Sequence, residues 1–216
     1  MVAVEASDVV TAAVLAFVGV RLVDGLRHTL KASGRSLLRA IVAEIGWRHV
    51  WPVPVVLAGV VAAASLLMLV PGLDWGWWSA FGGEGNPVFG SSEATAGTFV
   101  EWAIPAIFVV LLIPTLPLFA YAEERMFRRG AQNWSRPRRV VKVIQFGLVH
   151  ALIGIPVGTA LALSIAGAYF MRVYLREFST TASGEGATLE STRAHTAYNA
   201  CVLAIVAVVV VADAVL

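Results

Sequence analysis

The 216 residues are 58% hydrophobic and 14% charged, with a formal charge of +2 and a mean hydropathy of +0.78. Soluble domains carry about 25% charged residues, so this composition predicts lipid as the solvent and excludes a large water-facing domain beside one membrane domain. The small net charge excludes a nucleic-acid partner. The single cysteine, Cys201, excludes a disulfide framework and a Cys-based metal site, and it reads as apolar filler.

The first ten residues, MVAVEASDVV, carry acids where a signal peptide carries bases, so they read as mature sequence. Runs of roughly 17–25 apolar residues predict spanning helices. The first covers residues 9–23, with Arg21 near its end. A basic amphipathic stretch, residues 27–48, holds Lys31, Arg35 and Arg39 and is expected to lie on a membrane surface or form a solvated helix. His28 and His49 fall in it and read as surface residues.

A second span is predicted over residues 53–70. The cluster Asp74-Trp75-Gly76-Trp77-Trp78 after it marks a membrane boundary, where Trp is enriched. A Gly- and Ser-rich loop with Glu84 and Glu93 but no base follows. The third span, 100–122, contains Pro105, Pro114 and Pro117, which should kink it. The fourth and fifth cover residues 140–153 and 157–175. A polar loop leads to the sixth, residues 195–212. Gly154, Gly158 and Gly167 read as points of close helix approach.

Arg and Lys concentrate after spans one, three and five, which places those connections on the cytoplasmic side. The expected fold is therefore all-α: a polytopic transmembrane bundle of about six spans in a cell membrane. Of sixteen basic residues only Lys31 and Lys142 are lysines, which points to a GC-rich, prokaryotic source.

Ionisable residues within apolar spans are rare and usually functional. Glu123 and Glu124 close the third span. Arg128 lies four residues past Glu124, on the same helical face, so the two can pair. Glu123 points roughly 100° away around the helix and stays free to act as a base. His150 lies roughly 12 Å along a helix from Lys142, one turn after Phe146. His195 and Asn199 share one face of the last span. A desolvated Glu assisted by His can activate water, while a second His and an Asn can donate to an oxyanion.

Glu123-Glu124-x-x-x-Arg128, Phe146-x-x-x-His150 and His195-x-x-x-Asn199 resemble the three motifs of the CPBP intramembrane proteases, which include the type II CAAX prenyl endopeptidases. The resemblance covers about residues 100–216, expected to form the protease core; residues 1–99 supply the N-terminal spans, basic segment and extracytoplasmic loop. It implies a glutamate-dependent intramembrane endopeptidase with its site facing the cytoplasm, needing no metal or other cofactor. Its expected substrate is a CAAX-like or other membrane-bound or lipidated peptide, with membrane lipid as its other partner. By resemblance Glu123 activates water, His150 positions it, and His195 and Asn199 form the oxyanion hole. Glu124, Arg128 and Phe146 support the site. Three other readings compete. They are a zinc metalloprotease on Glu123, His150 and His195; a non-catalytic immunity or scaffold protein; and a transporter with a proton relay.

Overall fold

A computed structural model describes residues 6–77 and 99–215. These residues are all helical apart from turns. Among them are nine α-helices: α1 Ala6–Leu30, α2 Ala32–Val42, α3 Trp47–Val50, α4 Val53–Leu67, α5 Phe99–Phe127, α6 Arg136–Leu148, α7 Val157–Ala162, α8 Ser164–Thr181 and α9 Gly184–Val215. Two 3₁₀ turns, Ala131–Asn133 and Val149–Ile153, flank α6.

The breaks follow local chemistry. Gly130 and Gly154 adopt φ of +88° and +90°, a left-handed conformation that costs glycine nothing. Both therefore sit at the ends of helical segments. At the start of α6, the Ser135 hydroxyl accepts from the Arg138 backbone N–H, and Pro137 stands in the first turn. Ala182 ends α8 in the left-handed region at φ 53°, so α9 begins two residues later.

α9 is the central element and packs against α8, α5, α3 and α2. α1 lies against α5 and α2, α4 against α7 and α8, and α6 against α8 and α7. The main apolar core gathers Val53, Val60, Phe127, Phe146, Ala162, Ala166, Phe170, Ala194, Ala197 and Tyr198. Small residues let α6 approach the α7–α8 corner closely. A Cβ on Gly147 would run into the Ala160 carbonyl and the Ser164 hydroxyl. A Cβ on Gly167 would come within 2.8 Å of the Phe146 ring. The expected close approach thus holds at Gly167. Gly158 is also tight, 3.0 Å from the Leu73 carbonyl, whereas Gly154 serves as a turn.

The six-span bundle is corrected. Among the described residues only two helical stretches, Trp47–Leu67 and Val157–Thr181, are long and apolar enough to cross a membrane by length and composition. Apolar runs alone suggest spans with charges only at their flanks. In the structure those charges lie within continuous helices. α1 carries Arg21, Asp24 and Arg27, α6 carries Arg136, Arg138, Arg139 and Lys142, and α9 opens with Glu185, Glu190 and Arg193. Several are locked in internal pairs. The multi-pass cell-membrane location and the cytoplasm-facing site rested on the six-span count and fall with it. So do the membrane-lipid and lipidated-peptide partners, because the core closes on its own ion pairs and aromatic rings. The outer side of α4 nonetheless stays apolar and exposed at Val55, Val61 and Leu66.

Two further expectations change. The polar stretch before residue 195, expected as a loop, is mostly helical: residues 177–181 complete α8 and residues 184–194 open α9, largely buried from Ala187 onward. Its hydroxyls are satisfied within the helix: Thr188 donates to the Gly184 carbonyl at 2.8 Å and Thr192 to the Thr188 carbonyl at 2.7 Å. The Trp cluster is packed against the α6–α7 turn. Trp77 Nε1 donates to the Leu152 carbonyl at 3.2 Å, and the Val157 N–H donates to the Trp75 carbonyl at 3.0 Å. Trp78, Glu84 and Glu93 lie outside the described residues.

Candidate functional site

The C-terminal end of α5 meets α8 and the middle of α9 around a buried polar knot. Glu124 and Arg128 are fully buried and His195 is 2% exposed. Their helical spacing puts Glu124 and Arg128 one turn apart on one face, and Arg128 Nη1 donates to Glu124 Oε1 at 2.8 Å. The other guanidinium arm, Nη2, donates to the Gly167 carbonyl of α8 at 3.3 Å. His195 Nδ1 lies 2.9 Å from the same Glu124 Oε1. Burial pushes the Glu124 carboxyl up, but the Arg128 charge and the His195 hydrogen bond outweigh it and hold it below the usual carboxylate range.

Aromatic rings enclose the knot. Phe170 stacks on the His195 imidazole, with centroids 4.4 Å apart and planes 20° from parallel. Phe146 meets His195 edge-on at 5.5 Å, and the Arg128 guanidinium stands 4.1 Å above the Phe146 ring. The imidazole is thereby fixed in plane and tilt by contacts from α5, α6 and α8.

Glu123 turns toward the rim. Its side chain is 31% exposed, and its Oε2 sits 3.8 Å from His195 Nε2. That oxygen is itself buried and has no hydrogen-bond partner among the described residues. Since an ionised Glu124 can only accept, His195 Nδ1 must carry the proton of the Glu124 bond. Nε2 is then the nitrogen that faces Glu123. Two acceptors would oppose one another across 3.8 Å unless a proton lies between them.

Of the seven residues expected at a site, the structure brings Glu123, Glu124, Arg128, Phe146 and His195 together. His150 stays at the edge: its Nδ1 lies 2.9 Å from the Phe146 carbonyl of its own turn, and its ring packs edge-on to Phe146 at 5.3 Å. Asn199 is half-buried on α9 and makes no hydrogen bond with the described residues.

The zinc alternative is overturned. Among the described residues no group of three or more His, Cys, Asp or Glu side chains could hold a metal ion. The physical reason is Phe146: its ring meets both His150 and His195 edge-on, at 5.3 and 5.5 Å, and His150 Nδ1 is held at the Phe146 carbonyl. The intramembrane endopeptidase is corrected as well, in both its CAAX-like form and its immunity or scaffold alternative. The first was expected at the cytoplasmic face of a six-span bundle and the second as a non-catalytic membrane protein whose polar cluster only holds helices together; both rested on that bundle, which the described residues do not form. The described architecture instead closes the Glu124–Arg128 ion pair and the His195 imidazole into one internal knot.

A second polar knot escaped the sequence reading. His49, expected at the surface, is 2% exposed. Its Nδ1 accepts the Gly46 N–H at 3.0 Å, and its Nε2 donates to Glu190 Oε1 at 3.0 Å. Glu190 Oε2 takes hydrogen bonds from Arg48 and Arg193, both at 3.1 Å. Arg193 in turn donates to the Ala40 carbonyl at 2.8 Å. Burial raises the Glu190 carboxyl, but His49, Arg193 and Arg48 overcome that and draw it down to about 2. The knot ties the α2–α3 segment to α9. His49 and Glu190 are 141 residues apart, so no local pattern could have revealed it.

Compared with family models, curated proteins and solved structures, the chain shows no match.

Proposed function

We propose that Glu123 and His195 form a proton-accepting centre that binds a small molecule bearing an N–H or O–H group. The observation that carries this reading is the buried, unpartnered Oε2 of Glu123 facing His195 Nε2 at 3.8 Å. One proton belongs between these atoms, either on Nε2 or on a bound donor. Glu124 carries a compensating guanidinium, whereas Glu123 has no guanidinium within ion-pair distance among the described residues. With a neutral imidazole the knot therefore keeps one net negative charge, at its rim, and favours a protonated amine over a neutral alcohol. In this arrangement Glu123 is the base, His195 shares the proton, and Glu124, Arg128 and Phe146 fix the ring.

The three-motif resemblance supports the same residues, and membership of the CPBP family is proposed on those motifs alone. No peptidase activity is assigned with it. His150 and Asn199 belong to the proposed centre only as the residues that flank Phe146 and His195.

The test is a titration of histidine-¹⁵N-labelled protein with methylammonium. Saturable movement of the His195 Nε2 resonance in the wild type, abolished in Glu123→Gln, is the expected result. An unmoved His195 resonance, or one that moves equally in Glu123→Gln, would sink the proposal.

A further inference from the structure

A cavity of about 560 Å³ that shares no lining residue with the Glu123 knot lies between the start of α4, one face of α8 and Glu190 of α9. Its size falls within the range of small-molecule pockets, roughly 300–1,000 Å³. Its lining is of two kinds.

The first kind is cationic. Arg172 and Arg176 stand one helical turn apart on α8 and both are exposed; neither forms an ion pair with a described residue. Arg48 joins them from α3. One of its nitrogens holds Glu190 at 3.1 Å, yet the side chain is 64% exposed and its other donors remain available. Glu190 does not cancel this charge, because Arg193 and His49 already engage it. Glu177 is the one other acid in the lining. Three arginines against it leave a cationic mouth, and guanidinium forks match phosphate oxygens.

The second kind is apolar. Trp51, Val55, Val56 and Val173 line the cavity beside the arginines. Trp51 is 55% and Val55 70% exposed. A free phosphate ion would leave this wall uncovered, and a neutral apolar molecule would leave the arginines without a counter-charge.

We propose that this cavity binds a soluble phosphate monoester carrying an apolar body. The phosphate lies on Arg172, Arg176 and Arg48, and the apolar body covers Trp51, Val55 and Val56. The Glu190 knot holds Arg48 in place from behind. This site is separate from the Glu123 centre and does not depend on it.

Octyl phosphate, kept monomeric, is the probe, and calorimetry of the full chain is the measurement. Saturable binding is expected, weakened at least about tenfold in Arg172→Ala/Arg176→Ala. Inorganic phosphate should bind at least about tenfold more weakly than octyl phosphate, because it leaves the apolar wall uncovered. Octyl glucoside should not compete. Equal binding by the double variant, by inorganic phosphate or by octyl glucoside would overturn the proposal. So would capture by phosphatidate vesicles without binding of monomeric octyl phosphate. A diazirine-tailed alkyl phosphate tests the same site without any variant. Cross-links within residues 51–56 or at Val173 are expected, and labelling confined to other segments would refute it.

Discussion

Replacing Arg128 by methionine removes one charge of a pair in which both partners are fully buried. Glu124 then keeps the His195 hydrogen bond at 2.9 Å. Breaking a buried ion pair from one side typically costs 3–5 kcal/mol, because the remaining charge is stranded in low dielectric. The retained imidazole bond points to the lower end, about 3 kcal/mol. For a chain of this size each kcal/mol moves Tm by about 2–4 °C, so a drop of about 6–12 °C is expected. Loss of the cation over Phe146, 4.1 Å away, adds to it. The double variant Glu124→Gln/Arg128→Met strands no charge and leaves His195 an uncharged acceptor. It should recover at least half of the loss. The assay is thermal unfolding followed by far-ultraviolet circular dichroism, at one pH and salt concentration for all variants. A double variant no more stable than Arg128→Met would refute the stranded-charge reasoning. A single variant within about 0.5 kcal/mol of wild type would show that the pair is not buried as described.

Other consequences can be checked beside it. Glu190 lies near 2 in the folded chain against 4.5 for a free side chain. Its depressed value contributes stability that is complete above about 4.5 and lost as pH falls toward 2. The acid limb of a stability–pH curve should therefore flatten over that window in Glu190→Gln; an unchanged limb would contradict the His49–Glu190 knot. Gly147→Ala should cost about 1–3 kcal/mol by chemical denaturation, because its Cβ meets the Ala160 carbonyl and Ser164 hydroxyl. Gly19→Ala in α1 is the contrasting case: nothing lies within 4 Å of its Cβ. It should be neutral or stabilising by up to about 1 kcal/mol from helix propensity. Carbodiimide coupling with glycinamide should modify half-exposed Glu123 and spare Glu124, as mapped by mass spectrometry, and the reverse order would contradict their placement.

Most helices are legible in the sequence. The apolar run after Pro52 gives α4, and the Pro-containing run ending at Glu123-Glu124 gives most of α5. The i,i+4 spacing of Glu124 and Arg128 anticipates their ion pair, because helical geometry alone brings such residues together. What the charges around the runs do is not legible. Glu190 and Arg193 look like loop residues before an apolar span, yet they lie within α9, Glu190 buried and Arg193 partly so, and bond to residues some 140 to 150 positions earlier. Hydropathy treats each charge as solvent-seeking and does not know its partner. Ser179, Thr180, Thr181, Thr188, Ser191 and Thr192 mislead in the same way, since hydroxyl bonds to the preceding turn satisfy them inside a helix. The i,i+4 spacing of His195 with Asn199 falls within α9, whereas that of Phe146 with His150 straddles the end of α6 and the following 3₁₀ turn. Spacing fixes the face of a helix, however, and not the depth at which a side chain meets its neighbours. His195 therefore reaches the knot while Asn199 makes no bond there.

The central claim is that His195 presents Nε2 to Glu123 across a shared proton while Nδ1–H is held by Glu124. Long-range ¹H–¹⁵N correlation of the His195 ring at neutral pH reads both nitrogens directly. The expected spectrum shows a protonated Nδ1 bonded to carboxylate, and an Nε2 resonance that shifts when Glu123 becomes Gln. An unprotonated Nδ1, with Nε2 indifferent to the change at Glu123, would contradict it.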